Sequence, residues 1–328
     1  MDQFRTEVNP PSFPFSIHHG SKLTLMGSCF TENMGARLQE HKIDALVNPF
    51  GILFNPFSIM NALERMLNER TYAKEELVQT GEHWASLDHH GRFNASNQEE
   101  VLERINRSLL EGRSQLLASD VIFITLGSAW VYEHLDTGHT VANCHKIPNK
   151  EFKKRLLTHQ EVHLILRHIP DFLKSKGINA EIVFTVSPVR HWKDGAVENQ
   201  RSKAHLISAV HQVVEAYDQC HYFPAYEMQM DDLRDYRFYA NDMLHPNSQA
   251  IDYIWEGFQH SFFTDETRII CQELKAVVQA ASHRPVDPES NAFQRFLRKQ
   301  LEIIGALEQR YPNVDLSAER ARFQAYVL

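Results

Sequence analysis

The sequence predicts a three-layer α/β fold, in which a doubly wound and mainly parallel sheet lies between two layers of helices, with a C-terminal helical appendage. Residues 121–126 and 182–186 are continuous apolar runs, which are typical of strands buried on both faces of a parallel sheet. Amphipathic helical patterns separate these runs from each other and from a strand candidate at 22–26. Because strands that alternate with helices usually pair in parallel, the pattern favours a doubly wound sheet.

The first predicted strand passes through Gly27 and Ser28 directly into a helix. The small Gly27 permits a tight turn, and the free backbone N–H groups at the start of a helix can hold the oxyanion that forms when a hydroxyl attacks a carbonyl. Ser28 is therefore a candidate nucleophile. A serine that only caps the helix gives the same local pattern, so the turn alone does not separate the two roles.

The other predicted elements follow along the chain. We predict a strand at 44–47, a helix at 56–69 with Asn55 as its N-cap, a hairpin around 84–87 and a helix at 99–117. After an insertion at 131–152, we predict helices at 160–174 and 203–217, a strand at 221–225 and a helix at 247–263. The predicted buried stripes are Val162, Ile165, Ile169 and Phe172 in one helix, and Ile207, Val210 and Val214 in the next.

The predicted elements divide the chain into two parts. Residues 1–263 form the α/β domain, and residues 1–20, which are rich in proline and polar groups, form an extended arm over it. Residues 264–328 contain two long helical patterns and a shorter one without strand signals. We expect this appendage to pack on the domain or on a second subunit, which makes a homodimer through the C-terminal helices a hypothesis.

Composition argues against several classes of function. With a formal net charge of −8 and no long basic run, the chain is not expected to bind nucleic acid. No stretch approaches the ~20 apolar residues of a membrane helix and no secretory signal begins the chain, so we expect a cytoplasmic protein without a membrane partner. His89, His90 and His145 invite a metal interpretation, but the 19 histidines include no HExxH-like spacing. We expect no metal and no cofactor.

Several polar residues and glycines follow the predicted strands. Ser28, Gly127 and Ser187 lie at the carboxyl ends of three strands, where doubly wound sheets bind ligands. Asp242 and His245 precede the last helix of the domain, and a D-x-x-H turn can hold the carboxylate against one imidazole nitrogen while the other faces a serine. We therefore predict Ser28 as nucleophile, His245 as its base and Asp242 as the group that orients the imidazole.

Six ordered blocks of the sequence resemble the signature of the GSCFA-domain family, which is grouped with the SGNH, or GDSL-like, hydrolases and acyltransferases. The blocks are GSCF at 27–30, NPFGILFNP at 48–56, LGSAWVY at 126–132, NCHKIP at 143–148, TVSPVRH at 185–191 and YRFYANDMLHPN at 236–247. The resemblance covers about 22–262, leaves the helical tail outside and implies a flavodoxin-like three-layer fold. It places Ser28 in the position of the nucleophile, Gly51 in the second block, Gly127 at the start of the third, and Asp242 with His245 in the fifth.

The third block departs from the SGNH pattern, Gly-x-Asn-Asp, because Ala129 stands where the oxyanion-binding asparagine is expected. Another donor must replace that asparagine if an oxyanion hole exists, and Asn55, Asn48 and Arg190 are the candidates. The backbone N–H groups of Ser28 and Gly51 are expected to complete the hole.

Three further residues are candidates for substrate binding. Arg190 and His191 follow the strand end at 187–188, where Arg190 can clamp a carboxylate or phosphate of the substrate or hold an acidic side chain of a neighbouring loop. Trp130 follows Gly127 and is expected to line an acyl or sugar pocket. Cys29 is interpreted as a buried structural cysteine whose side chain points away from that of Ser28.

The leading hypothesis is a serine-dependent ester hydrolase or acyltransferase that acts on a small acyl ester. The resemblance to the wider superfamily suggests an O-acylated carbohydrate as that substrate. The missing asparagine at Ala129 motivates a second hypothesis, a non-catalytic binding or scaffold protein with the same fold. A metal-dependent hydrolase is the third.

Overall fold

The computed structural model describes residues 6–283, 285 and 287–327. Its strands are β1 (Lys22–Gly27), β2 (Asp44–Val47), β3 (Leu77–Thr80), β4 (His83–Ser86), β5 (Val121–Leu126), β6 (Trp130–His134), β7 (Thr140–Val141), β8 (Phe152–Leu156), β9 (Glu181–Val186) and β10 (Cys220–Tyr222). Its helices are α1 (Cys29–Glu40), α2 (Pro56–Leu67), α3 (Gln98–Ala118), α4 (His159–Ser175), α5 (Gly195–Ala216), α6 (Ala225–Glu227), α7 (Ser248–Phe262), α8 (Asp265–Ser282), α9 (Asn291–Arg310) and α10 (Ser317–Gln324).

A five-stranded parallel sheet forms the centre of the α/β part, with the strand order β10–β9–β5–β1–β2. Gly27 pairs with Thr125 and Thr125 pairs with Thr185, so the carboxyl ends of β1, β5 and β9 lie side by side. All residues of β5 are buried, which confirms the prediction of a strand covered on both faces. Strand β2 lies on one side of β1 and strand β5 on the other, so the order of strands along the sheet reverses between β1 and β5. Open α/β sheets bind ligands at such a switch point.

Two layers of helices cover the sheet, as predicted. Apolar side chains of α2, α3, α4 and α5 pack on one face, and those of α1 and α7 pack on the other. The N-terminal segment lies against the second layer, where Phe13 stacks on Phe262 with ring centroids 4.7 Å apart. Helices α8, α9 and α10 have their own apolar cluster, which includes Leu274, Leu297 and Ile304. The predicted three-helix pattern of the tail is therefore confirmed.

The insertion between β5 and α4 contains strands that we did not predict. Strands β7, β6 and β8 form a separate antiparallel sheet. The sequence of β8 is FKKRL, in which charged residues interrupt the apolar alternation that identifies a strand. The hairpin predicted around 84–87 is present as β3 and β4, but it begins earlier in the chain.

Helix boundaries and buried stripes also differ in places from the prediction. Helix α5 begins at Gly195 rather than at 203, because Asn199, Ser202 and Lys203 occupy its buried face and give no apolar period. The stripe of α5 is carried by Leu206, Ala209, Val210 and Val213, and that of α4 by Val162, Leu166, Ile169 and Leu173. The predicted positions Val162, Ile169 and Val210 are confirmed. The other predicted positions, Ile165, Phe172, Ile207 and Val214, are only partly buried, and a residue next to each of them is buried instead. The strand predicted at 221–225 ends at Tyr222.

Candidate active site

Ser28 lies in the tight turn between β1 and α1 and caps the helix. Its Oγ accepts a hydrogen bond from the Phe30 N–H at 3.3 Å, and its own N–H donates to the Thr125 carbonyl at 3.2 Å. A Cβ on Gly27, whose φ is +141°, would lie 2.1 Å from the Thr125 carbonyl oxygen, so β1 can approach β5 this closely only through a glycine. Ser28 has no exposed surface. The turn predicted at 27–28 is confirmed, whereas its chemistry stays a prediction.

Asp242 and His245, here called the dyad, form the hydrogen-bonded pair that the D-x-x-H turn predicts. His245 Nδ1 lies 2.6 Å from Asp242 Oδ2, and Asp242 Oδ1 accepts the backbone N–H groups of His245 and Leu244 at 3.0 and 2.9 Å. These backbone hydrogen bonds, with the imidazole contact, lower the pKa of Asp242 to about 2. Because a carboxylate can only accept, Nδ1 carries the imidazole proton and Nε2 is left to take one.

The dyad and the turn differ in exposure. The side chains of Asp242 and His245 are 47% and 48% exposed, whereas Ser28 is fully buried. Among the residues that the structure describes, no hydrogen bond joins His245 to Ser28. The structure therefore brings together two members of the predicted triad directly, and the third stays a prediction.

Cys29 is the first residue of α1 and is partly exposed. We interpreted it as a buried structural cysteine, but Ser28 is the buried member of the two. Burial raises the pKa of the Cys29 thiol, while the neighbouring backbone N–H groups and the Lys203 ammonium act in the opposite direction. Cys29 is thus a second nucleophilic side chain on the same turn.

Lys203 is a fully buried residue that the sequence analysis missed. Its Nζ donates to the carbonyl oxygens of Gly127 at 2.8 Å and Ser187 at 2.7 Å, which ties together the ends of β5 and β9. Burial lowers the pKa of Lys203 to about 7. On the same face of α5, Asn199 Oδ1 accepts the His191 N–H and Ser202 Oγ accepts the Ala129 N–H. Asn199, Ser202 and Lys203 are spaced as residues on one face of a helix, and this spacing was the sequence signal for the buried polar face of α5.

Several of the predicted oxyanion donors are already engaged within the fold. The N–H groups of Gly51 and Gly127 donate to the carbonyls of Asn48 and Phe54 at 2.7 and 2.8 Å, and that of Ser28 donates to Thr125. We expected the Ser28 and Gly51 N–H groups to bind an oxyanion, but turn hydrogen bonds occupy both in this structure.

The side chains that we considered as replacement donors differ from one another. Asn48 uses both of its amide atoms, accepting from the Gly27 N–H and donating to Glu32. Asn55 caps α2 through its Oδ1, which accepts the Ser58 N–H at 2.8 Å, so the cap leaves its amide nitrogen uncommitted. Asn55 is therefore the predicted amide donor that this geometry favours.

His191 lies at the end of β5, as predicted from its position after β9. Its ring packs edge-on against Phe54 at a centroid distance of 5.0 Å, and a Cβ on Gly127 would lie 3.3 Å from its Nε2. Burial lowers the pKa of His191 to about 4, with Lys203 and His245 acting in the same direction. The imidazole is neutral at pH 7, and its buried Nε2 has no hydrogen-bond partner among the described residues.

Arg190 lines a pocket of about 480 Å³ that also reaches Asp242. Its backbone N–H donates to the Leu244 carbonyl at 3.4 Å, and its guanidinium lies 5.3 Å from the ring centroid of Trp192. We expected Trp130 to line the site, but Trp192 lines this pocket instead. Trp130 begins β6, where its ring lies 4.7 Å from the Lys154 ammonium.

The histidines considered as metal ligands have structural contacts. His89 stacks on Phe50, with ring centroids 4.3 Å apart, and His145 Nε2 lies 2.8 Å from the Ser86 carbonyl. Within residues 6–283, 285 and 287–327, no group of three or more His, Cys, Asp or Glu side chains could hold a metal ion. Over the same residues, no helix combines the length and apolar composition that a membrane span requires.

Comparison with known proteins assigns most of the chain. The model of the GSCFA family matches residues 22–258, and that of the GSCFA domain protein, C-terminal domain, matches residues 274–327. We expected the helical tail to lie outside the family resemblance, and the second match corrects this. No curated protein matches the chain. Because the first match alone covers well over half of the sequence, the chain belongs to the GSCFA family.

Proposed function

We propose that this protein is an SGNH-like ester hydrolase or acyltransferase in which the dyad activates a nucleophile on the turn between β1 and α1. The observation that carries the proposal is the 2.6 Å contact between His245 Nδ1 and Asp242 Oδ2, which fixes one tautomer and leaves Nε2 as a base. The Arg190 N–H bonded to the Leu244 carbonyl connects the dyad loop to the segment that follows β9. The dyad therefore lies at the edge of the sheet where Gly127 and His191 meet.

The proposed reaction is acyl transfer through a covalent intermediate. His245 Nε2 takes the proton of the nucleophilic hydroxyl while the oxygen of that hydroxyl bonds to the acyl carbon. Asp242 stabilises the imidazolium that forms. The tetrahedral intermediate then collapses, and the leaving alcohol receives the proton from His245. Water or a second alcohol then gives its proton to His245 and bonds to the acyl carbon. The acyl–enzyme bond breaks, the acid or new ester leaves, and the proton returns from His245 to the nucleophile. The expected substrate is a small acyl ester, such as an O-acylated carbohydrate.

Ser28 is the nucleophile in this proposal. In the part of the chain that the structure describes, its Oγ accepts one hydrogen bond, from the Phe30 N–H, and donates none, so its proton is available to a base. Cys29 is the alternative nucleophile, because its thiol is partly exposed and lies on the same turn, whereas burial raises its pKa and so opposes formation of the thiolate. The two assignments predict different sites of covalent modification.

Labelling with a fluorophosphonate, read by intact mass and peptide mapping, tests the proposal. We expect label at Ser28, loss of label in Ser28→Ala and His245→Ala, and retention in the matched control Cys29→Ala. Label at Cys29 would transfer the role of nucleophile to the thiol. An unlabelled protein would contradict an activated serine.

A non-catalytic binding or scaffold protein is the second candidate function. The complete burial of Ser28 and the engaged N–H groups of Ser28 and Gly51 favour it. This function predicts ligand binding that is undiminished in Ser28→Ala, together with no labelling. Elemental analysis of the purified, active protein tests the remaining candidate, a metal-dependent hydrolase.

The homodimer and the cytoplasmic location also stay proposals. Light scattering of the full chain tests the dimer, which we place on the outer faces of α8, α9 and α10. Fractionation of cells with an antibody to the protein tests the compartment.

A further inference from the structure

Gln229 is a buried amide without partners. It has no exposed surface, and neither its Nε2 nor its Oε1 forms a hydrogen bond among the described residues. Leaving such a group unsatisfied in the interior destabilises a fold, so its retention requires a reason. Gln229 lies in a π-helical turn, Met228–Asp232, that continues from α6, and such turns are frequent at functional sites. Gln229 is one of the residues around the pocket that contains Arg190 and Asp242.

Arg190 is a cation without a counter-ion in the same wall. Among the residues that the structure describes, its buried Nε has no hydrogen-bond partner and its Nη1 donates to the Met230 Sδ at 3.9 Å. Within the described residues, no carboxylate forms an ion pair with its guanidinium. The other arginine of the pocket, Arg234, pairs with Asp231 at 3.1 Å.

The carboxylates that line this pocket have partners of their own. Asp242 binds His245, and Asp235 accepts the Arg237 N–H at 2.9 Å. Among the described residues that line the pocket, the guanidinium of Arg190 is thus a cation without an ion-pair partner, and it favours an anion there.

Aromatic side chains form the rim of the pocket. Trp192 is 48% exposed and Tyr236 is 75% exposed, and Tyr239 lies 6.2 Å from Tyr236 between ring centroids. Exposed aromatic rings beside polar groups provide flat apolar surface for a ring-shaped ligand. Exposed aromatic rings next to an unpaired cation and an unpaired amide are typical of a binding site rather than of a packing defect.

We propose that this pocket binds an acidic sugar unit, in which Arg190 pairs with the anionic group and Gln229 pairs with a hydroxyl. A hydroxyl both donates and accepts, so it satisfies the Oε1 and Nε2 of one amide, which an apolar ligand cannot do. The Arg190 fork binds a planar carboxylate or a phosphate through two N–H groups. The assignment of this unit to the substrate rests on the proposed function, because Asp242 of the dyad lines the same pocket.

Isothermal titration of the full chain with D-glucuronate, D-glucose 6-phosphate and D-glucose tests the proposal. We expect at least one of the two acids to bind about tenfold or more tightly than glucose. The preferred acid identifies the anion as carboxylate or phosphate. Arg190→Lys, which keeps the charge but loses the fork, is expected to weaken that acid about tenfold. Arg201→Lys is the matched control and is expected to change affinity less than about twofold, because Arg201 is outside the pocket lining and already pairs with Glu198 at 2.9 Å.

Gln229→Met distinguishes binding from a structural role. The substitution removes the unpaired amide at similar volume, so we expect a higher melting temperature together with about tenfold weaker binding of the acid. A lower melting temperature with unchanged affinity would overturn the proposal, as would acids that bind no more tightly than glucose. Titration and fluorophosphonate labelling are compared on the wild-type chain. Acid binding without labelling refutes only the proposed function, whereas labelling without acid binding refutes only the pocket assignment.

Discussion

The turn that carries Ser28 and the loop that carries the dyad are held in place by different forces. The sheet fixes the turn, because Gly27 contacts β5 too closely for any side chain and Ser28 is fully buried. Local hydrogen bonds fix the loop, because Asp242 accepts the backbone N–H groups of Leu244 and His245. Both dyad side chains are half exposed. Substitutions in the turn should therefore affect stability first, whereas those in the loop should affect chemistry alone.

The largest effect is expected for the dyad. Replacing His245 by Ala removes the base, so the rate of fluorophosphonate labelling or ester turnover should fall about 10²–10⁴-fold. The free energy of unfolding should change by less than about 0.5 kcal/mol, since the side chain is half exposed.

The matched control for the dyad is His168→Ala, which replaces another half-exposed histidine whose imidazole lies 3.5 Å from Glu64. Equal activity losses in the two variants, or a large loss of stability in His245→Ala, would remove the distinction between loop and turn.

The next effect concerns the turn itself. Gly27→Ala would place a methyl group 2.1 Å from the Thr125 carbonyl at a φ of +141°, so we expect a loss of about 3 kcal/mol or more in urea unfolding. Gly177→Ala also has a positive φ, +76°, but nothing lies within 4 Å of its added methyl group. It should lose only about 1 kcal/mol, from backbone strain. Similar losses for both glycines would show that the contact with β5 is unimportant.

The buried Lys203 makes the free energy of unfolding depend on pH. Because burial lowers the pKa of Lys203 from 10.5 to about 7, the unfolded chain binds the proton between these values while the folded chain has released it. The free energy of unfolding should therefore rise with pH across this window, by about 1 kcal/mol per pH unit, relative to Lys203→Met. The surface substitution Lys176→Met should leave the wild-type slope in place. Parallel curves for wild type and Lys203→Met would contradict the shift.

The smallest effect separates capping from catalysis at Ser28. Ser28→Ala removes the cap on the Phe30 N–H and should cost about 1 kcal/mol in thermal or urea unfolding. Asn247→Ala, which removes the cap of α7 on the Ala250 N–H, provides the comparison. A more stable Ser28→Ala would show that the serine is retained for chemistry at the expense of the fold.

The parts of this molecule with a regular period were predictable from its sequence. Strands at 121–126 and 182–186, the cap at Asn55 and the dyad at Asp242 and His245 all depend on neighbours close in the chain. Contacts between residues that are close in the chain follow from their spacing, so the architecture and the contact between Asp242 and His245 were predicted, whereas the catalytic role of the dyad stays a prediction.

Features that depend on distant contacts were not predictable in the same way. Lys203 is buried only because Gly127 and Ser187 offer their carbonyls from other strands. The unpartnered Gln229 lies in a turn with no apolar period. Ser28 and Cys29 are adjacent, and their different exposure follows from how β1 lies against β5. Each of these requires the assembled sheet.

Ile17 connects the N-terminal segment to two helices by hydrogen bonds, and these bonds affect how the protein unfolds. Its N–H donates to the Phe262 carbonyl at 2.6 Å, while its own carbonyl accepts the Thr267 hydroxyl at 3.1 Å. This one residue thus bonds to the last turn of α7 and the first turn of α8, both of which lie in the junction between the two matched ranges, 22–258 and 274–327, although Ile17 precedes both ranges. Opening the junction requires breaking these bonds, so we expect the amides of Ile17 and Phe263 to exchange hydrogen together, within one cooperative unit that crosses the domain boundary.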